Sequence, residues 1–329
     1  MRKLASIQEI KALDPIPGAD AIERATVLGW HLVVKKGEFK IGEQVVYCEV
    51  DSLMPDDPRF TFLKPRGMRI KTIKLRGQIS QGICFPLSIL PKGFDVRDDE
   101  DCTQALGITK YEPPVPACLN GIAKGAFPSL IPKTDETRVQ VLQEVLDRYQ
   151  GQMCYVTEKL DGSSVTIYVH HENFGVCTRQ FELIEDSENT IWKIARELDI
   201  ENKIRATGIN MALQGEVIGE GVQGNPLKLH GQRILFFNVF DMDRRVYLSF
   251  DPWMEMMQRL NLKTVPVITA DYKLENDINA IVTMATRKSL MRPDVWAEGI
   301  IIRPLTERRD PVIGRVSFKA INPEFLLGQ

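Results

Sequence analysis

The residues best suited to chemistry centre on Lys159, in the run Tyr155-Val156-Thr157-Glu158-Lys159-Leu160-Asp161-Gly162-Ser163-Ser164-Val165. A lysine at the end of one strand-like run, with an aspartate two residues on and a glycine to turn the chain into the next run, can present an amine to a reactant. A lysine amine attacks phosphorus only after losing its proton, which burial or neighbouring cations favour. Arg138 and Arg179 are the candidate cations. Taken alone, the tetrapeptide also reads as a solvated hairpin turn, and three fixed residues recur by chance. It does not stand alone. Downstream come Leu213-Gln214-Gly215-Glu216-Val217-Ile218-Gly219, Phe237-Asn238-Val239-Phe240-Asp241, Ala297-Glu298-Gly299-Ile300-Ile301-Ile302-Arg303 and Val316-Ser317-Phe318-Lys319-Ala320, each setting a polar or aromatic residue on or beside a β run.

The elements that position these residues divide near 111–134. Residues 1 to about 110 read as short strands broken by turns, among them Trp30-His31-Leu32-Val33-Val34 and Gln44-Val45-Val46-Tyr47-Cys48-Glu49-Val50, with no long amphipathic helix, so a small closed β-barrel is expected. A stretch rich in Pro and Gly follows, with Pro113-Pro114, Pro116, Gly121, Gly125 and Pro128, and suits a linker. Beyond it, Leu142, Val145, Leu146 and Tyr149 recur at helical spacing behind Asp135-Glu136 as an acidic first turn, with Gly151 placed to stop the helix. Further helices are expected at 189–199 and at 252–260, the latter with Asp251 as N-cap and Pro252 in the first helical position. Apolar strands lie between them. The expectation is an α+β chain: an OB-like barrel over 1–110, a linker over 111–133 and a second domain over 134–329.

Composition narrows the class. The chain has 329 residues, 43% hydrophobic and 26% charged, which suits two globular domains rather than disorder. No run approaches the ~20 apolar residues of a membrane span, and Met1-Arg2-Lys3-Leu4-Ala5 lacks the apolar core of a signal peptide, so a cytoplasmic protein without membrane attachment is expected. The six cysteines include no Cys-x-x-Cys pair, which argues against a zinc site or a disulfide framework. A net charge of −2 confines any nucleic-acid binding to local patches.

The ordered series from Lys159 to Lys319 resembles the covalent nucleotidyltransferases, the superfamily of ATP-dependent polynucleotide ligases and capping enzymes. The resemblance covers roughly residues 130 to 325. It implies that Lys159 forms a lysyl-AMP, that Glu216 holds a ribose hydroxyl, and that Phe240 stacks on adenine. It further implies that Asp161, Glu216 and Glu298 place a magnesium or manganese ion, and that Lys319 touches the α-phosphate. Arg179 matches the arginine that follows the lysine motif, Arg138 is assigned to the ATP phosphates, and Glu158 joins the same nucleotide-binding set. Many relatives carry Lys-x-Lys on the last strand. Here the first position is Ser317, so either Arg315 substitutes or the phosphate grip is looser.

Domain order sharpens the substrate. DNA ligases and capping enzymes usually place an OB barrel after the transferase domain, whereas here the β-rich unit comes first. The run from Pro15 to Tyr47 is similar to OB modules of the tRNA-binding type, and the order is that of RNA ligases of the nick-sealing type. Lys64, Arg66, Arg69, Lys71, Lys74 and Arg76 follow one another with no intervening acid, in partial alternation that would set several on one face. Such a stripe suits phosphate tracking, or else a solvated edge. The resemblance therefore implies an ATP-dependent RNA ligase, monomeric, acting on nicked duplexes with an RNA 3′-OH strand. A DNA ligase, a GTP-using capping guanylyltransferase and a non-catalytic RNA-binding protein remain as alternatives.

Overall fold

The computed structural model describes residues 2–112 and 117–328. Pro113-Pro114 and Pro116 of the expected linker lie outside the described residues. The chain divides into two compact units, Met1–Pro113 with Pro323–Gln329, and Pro114–Asn322.

Alternating burial builds the first unit. Its sheet runs, in spatial order, Trp30–Lys35, Ile22–Val27, Ala5–Pro15, Gln44–Cys48, Ile83–Pro86. Ala5–Pro15 serves two neighbours: its first half pairs with Gln44–Cys48 and its second half with Ile22–Val27, the register shifting between Ile10 and Ala12. A bulge at that point bends the strand and lets the sheet coil. The Gln81 N–H then donates to the His31 carbonyl at 2.9 Å, and the coiled sheet encloses Ile7, Ile10, Val27, Trp30, Leu32, Val45 and Tyr47. This is the OB fold expected for the first half of the chain. The basic run is different from its expected form. Lys64 and Arg66 end a 3-10 helix, Pro58–Arg66, capped by Gly67 at φ 63°, and only Ile73–Leu75 is extended. Pro65 and the left-handed Gly67 break the strand that alternation would need.

The second unit is built on two large sheets and a two-stranded one, Arg309–Asp310 with Gly314–Arg315. Seven strands order as Ala123–Ala126, Phe181–Leu183, Asn173–Thr178, Ser163–His170, Met211–Gly219, Gln232–Asp241 and Val246–Tyr247. Five more order as Thr137–Arg138, Phe318–Ile321, Gly299–Pro304, Met153–Lys159 and Val267–Lys273. Helices Thr190–Glu197 and Ile200–Arg205 bury Trp192, Ile200 and Ile204 in one core with Val165, Ile167 and Leu213. Helices Gln143–Tyr149 and Ile278–Ala285 bury Val145, Leu146 and Ile281 against Val156, Ile300, Ile302 and Phe318. Asp135 and Glu136 do not form the first turn of Gln143–Tyr149; they precede the strand Thr137–Arg138. Likewise Ser249, not Asp251, is the N-cap of Phe250–Arg259. Among the described residues no helix is long and apolar enough to cross a membrane.

Phe250 and Trp253 set their rings 4.8 and 5.8 Å from that of Tyr155, on the strand Met153–Lys159. Trp253 is 1% exposed, and removing so large a buried ring costs about 3–5 kcal/mol. Trp253→Ala is therefore expected to lower the unfolding midpoint of the intact chain in a calorimetric scan, whereas an unchanged midpoint would show that this contact carries little stability.

Candidate active site

Residues directly opposite each other on paired strands share a face, and register decides which side chains meet. In the five-stranded sheet Lys159 lies opposite Gly299, Thr157 opposite Ile301 and Tyr155 opposite Arg303. Ile301 is opposite Lys319, and Lys319 opposite Arg138. Lys159, Arg303, Lys319 and Arg138 thus share one face, while Val156, Ile300, Ile302 and Phe318 fill the helix-packed core on the other. In the seven-stranded sheet Ser164 lies opposite Glu216. Gly162 makes the approach possible: a Cβ there would lie 2.2 Å from the Val217 carbonyl oxygen and 2.9 Å from Glu216 Cγ. Its role is close packing, since its φ is not among the positive values.

The Lys159 Nζ donates to both carboxylate oxygens of Glu298 at 2.6 Å. Burial pushes the Lys159 pKa down, but Glu298, Glu216 and Asp161 outweigh it and hold the value above that of an ordinary lysine. The amine is therefore an ammonium in this state, contrary to the neutral amine that nucleophilic attack requires. The carboxylates show the complement. Burial and Glu298 raise Asp161 to about 7. Burial, offset by Lys159 and reinforced by Glu298 and Asp161, raises Glu216 to about 8. Burial, Lys159 and Arg138 together lower half-buried Lys319 to about 8. Three cations and three carboxylates are thus packed within electrostatic reach, a setting that can hold a polyanion together with a cation. Among the described residues, no group of three His, Cys, Asp or Glu side chains is arranged to hold a metal ion; Glu298 is taken up by Lys159 instead.

A second polar cluster lies on the same sheet. Arg303, 1% exposed, donates to Glu136 Oε1 at 2.8 Å and to Ser317 Oγ at 2.9 Å, and Ser317 Oγ donates to Glu136 Oε1 at 3.2 Å. Arg303 also donates to the Phe237 carbonyl at 3.4 Å and lies 5.9 Å from that ring's centre. Arg315, offered by the sequence as a substitute phosphate ligand, is held by Glu307, donates to Asn238 Oδ1 at 2.9 Å, and covers the Tyr247 ring at 3.7 Å.

Some expected site residues are placed elsewhere. Glu158 points to the opposite face from Lys159, as strand alternation requires, and its carboxylate accepts from Ser289 Oγ and from the Leu290 N–H; burial raises its pKa. Phe240, expected as the adenine platform, is 3% exposed. It packs with Tyr168, Ala212 and Met242 and edge-on to Tyr247 at 5.0 Å, so no ring face is left for a base. Arg179 is exposed and pairs with Asp135 at 2.6 Å. In the first unit Lys64, Arg66, Lys71, Lys74 and Arg76 are exposed. Arg69 instead pairs with Asp51 at 2.6 Å and lies 3.9 Å from the Tyr111 ring centre, so packing accounts for it.

Three residues of the site had no role in the sequence reading: Glu136, Arg303 and half-buried Phe237. The signal for Arg303 was present, as a cation inside an otherwise apolar strand. Phe237 is the extra residue where the pairing of Met211–Gly219 with Gln232–Asp241 slips between Gln214 and Gly215, and such a slip is invisible to a period-two pattern. A cavity of about 890 Å³ is lined by Leu235, Met254, Met257, Leu262, Pro266 and Met291, among others. Lys159, Glu216 and Glu298 are not in its lining, but the Pro266 carbonyl accepts from the Glu158 N–H at 2.9 Å, so it adjoins the strand Met153–Lys159.

Glu136 ties stability to pH. Burial raises its pKa, but Arg303, then Lys319 and Arg315, bring it down from 4.5 to about 2. A folded-state pKa below the unfolded one stabilises the fold above the unfolded pKa and is lost as pH falls through the folded one. Glu136→Gln is expected to cost about 3 kcal/mol at pH 7, with the gap to the parent narrowing between about pH 4.5 and 2; urea titrations across that window check it, and a gap independent of pH would refute the pairing.

Comparisons with known proteins follow this geometry. A family model described as an OB-fold domain matches residues 4–87, and one described as RNA ligase matches residues 152–321. No curated protein sequence matches the chain. Among solved structures, a variant of a Naegleria gruberi RNA ligase with ATP and Mn is 38% identical, with 99% of each chain covered and a TM-score of 0.92. Another variant of that ligase with AMP and Mn is 38% identical, covering 100% of this chain and 99% of that one, also at 0.92. The ligase with PPi has the same identity and coverage at 0.91. With both units matched, over half of the chain by the RNA ligase model and 99% of it by a 38% identical structure, the chain belongs to the RNA ligase family.

Proposed function

We propose that this chain is an ATP-dependent RNA ligase that joins 3′-OH and 5′-phosphate ends at nicks through a lysyl-AMP on Lys159. The observation that carries the reading is the Lys159 amine, held by Glu298 at 2.6 Å, with Glu216 and Asp161 acting on it and Lys319 and Arg138 behind. ATP, AMP and PPi, seen with the Naegleria relative, are the substrate, transferred group and leaving group of one reaction. In that reaction Nζ forms a bond to the α-phosphorus, the bond to the pyrophosphate oxygen breaks, and Nζ gives up a proton. Next, an oxygen of the 5′-phosphate attacks the same phosphorus and the P–N bond breaks, returning the lysine. Last, the 3′-OH attacks the activated 5′-phosphorus, AMP leaves, and a phosphodiester remains.

Each side chain has a physical part in this scheme. Lys319 and Arg138 hold the α-phosphate and offset charge on its oxygens as it transfers. Glu216 accepts from a ribose hydroxyl. Phe237 replaces Phe240 as the aromatic offered to the base, since it is half-buried and faces Arg303. The donor set suits a divalent cation in kind: burial first, then neighbouring carboxylates, drives Asp161 and Glu216 up to about 7 and 8, and Lys159 offsets this. Asp161, Glu216 and Glu298 would hold magnesium or manganese, which when bound supplies Lewis-acid stabilisation of the phosphate charge. Unpairing Lys159 from Glu298 then lowers the cost of deprotonating the amine.

On the first unit we assign RNA contact to Lys64, Arg66, Lys71, Lys74 and Arg76. Phe62, 56% exposed, and Leu75, 38% exposed, lie among these cations, the mix of charge and apolar surface that single strands favour.

With α-labelled ATP and a divalent metal the protein is expected to take up covalent label, and Lys159→Ala none; a variant that labels as well as the parent removes the nucleophile assignment. Arg66→Ala with Lys71→Ala is expected to keep that labelling but weaken nick binding several-fold, with a shallower salt dependence because phosphate contacts are lost. Filter binding at two salt concentrations decides it, and an unaltered slope would reject the surface.

A further inference from the structure

We propose that Trp296, with Lys288 and Leu290, forms a stacking platform for an RNA strand at the edge of the reaction centre. The inference rests on the ligase reading above. Of the four tryptophans, Trp30, Trp192 and Trp253 are 0%, 4% and 1% exposed, whereas Trp296 is 38% exposed. Lone exposed apolar residues are ordinary. This one is posed. The Lys288 ammonium lies 3.7 Å from the centre of its ring, a backbone bridge joins Lys288 to Trp296, and the Ala297 N–H donates to the Arg287 carbonyl at 3.0 Å. The indole is therefore fixed by a turn, with a cation on one face.

The turn is anchored beside Glu298 at one end and to the back of the Lys159 strand at the other. Trp296 stands two residues before Glu298, the partner of Lys159. At the other end, Ser289 and Leu290 bind the carboxylate of Glu158, the residue before Lys159. Leu290 itself is 47% exposed beside them, and Arg287, Lys288 and Arg292 make this a basic segment with Asp294 as the counter-charge to Arg292 at 2.8 Å. An aromatic face beside a cation matches what an unstacked nucleotide presents, a π-face and a phosphate. Lys288 offers the phosphate contact and Trp296 the face, within the same turn that sets Glu298. The segment favours nucleic acid over a protein partner because its charge is basic and its position is continuous with the reacting amine.

The unmodified protein gives the first test. Because the other three tryptophans are buried, acrylamide quenching reads Trp296, and a nicked RNA duplex is expected to protect that fluorescence. Binding of the nick with undiminished quenching would overturn the inference, and so would protection by an unrelated acidic protein but not by RNA. Variants give the second. Sealing of a pre-adenylylated nick by Trp296→Ala is expected to fall about ten- to a hundredfold relative to its lysine labelling by ATP, from the worth of one base–aromatic stack. Trp296→Phe should stay within about threefold, since its face is retained. Equal sealing by Trp296→Ala would reject the platform alone, whereas a parent chain that neither labels nor seals would reject the ligase reading.

Discussion

The contact on which the rest depends is the ion pair between Lys159 and Glu298. Two carboxylate oxygens at 2.6 Å from one amine, with Glu216 and Asp161 acting on the same nitrogen, make a strong charge-assisted pair in a half-buried place. The same pair opposes catalysis, since it stabilises the protonated amine. An incoming triphosphate adds negative charge and by itself would make this worse. Asp161, Glu216 and Glu298 would hold a divalent cation, whose charge would relieve the pull of those carboxylates on the nitrogen. The carboxylates around Lys159 thus keep its amine protonated, and in the proposed reaction that pairing must be relieved before the nitrogen can attack.

Two sheets deliver the partners. Lys159, Glu298 and Lys319 come from neighbouring strands of the five-stranded sheet, whereas Glu216 comes from the seven-stranded sheet. The connection Leu160-Asp161-Gly162 passes from one sheet to the other, and Gly162 lies against Val217 too closely for any side chain. That is why lysine, aspartate and glycine occur together: the lysine ends a strand of one sheet, the glycine leads into a strand of the other, and the aspartate lies between them. Tyr155, four residues before Lys159, is fixed by Phe250 and Trp253, so packing of the helix is transmitted to the strand that carries the amine.

Much of this was legible in the chain. The OB fold and the α+β second part follow from strand-like runs punctuated by turn residues, and the resemblance singled out Lys159, Asp161, Glu216, Glu298 and Lys319, whose charges lie within electrostatic reach of one another. What failed did so for identifiable physical reasons. Phe240 and Phe237 lie on one strand, and the bulge that separates their environments leaves no periodic trace. Glu158 was grouped with Lys159 by adjacency, but adjacent residues on a strand face opposite ways. The basic run looked alternating because cation spacing alone was considered, whereas Pro65 and Gly67 set the backbone. Arg69 was grouped with cations it does not act with, its partners Asp51 and Tyr111 being distant in sequence.

Ser317 shows how a departure in sequence is absorbed. The position expected to carry a second lysine instead carries a hydroxyl that accepts from Arg303 at 2.9 Å and donates to Glu136 at 3.2 Å. Arg303 is buried, so it needs a dedicated carboxylate, because an uncompensated buried charge is costly. A lysine at 317 would compete with Arg303 for Glu136 and add repulsion with Lys319, whose pKa burial, then Lys159 and Arg138, already depress. Serine leaves the pairing intact and keeps the guanidinium on the same face as Lys319. Arg315 is not the substitute, because Glu307, Asn238 and Tyr247 already hold it. The buried cation of this face is therefore Arg303, on the neighbouring strand, which Glu136 and Ser317 hold in place.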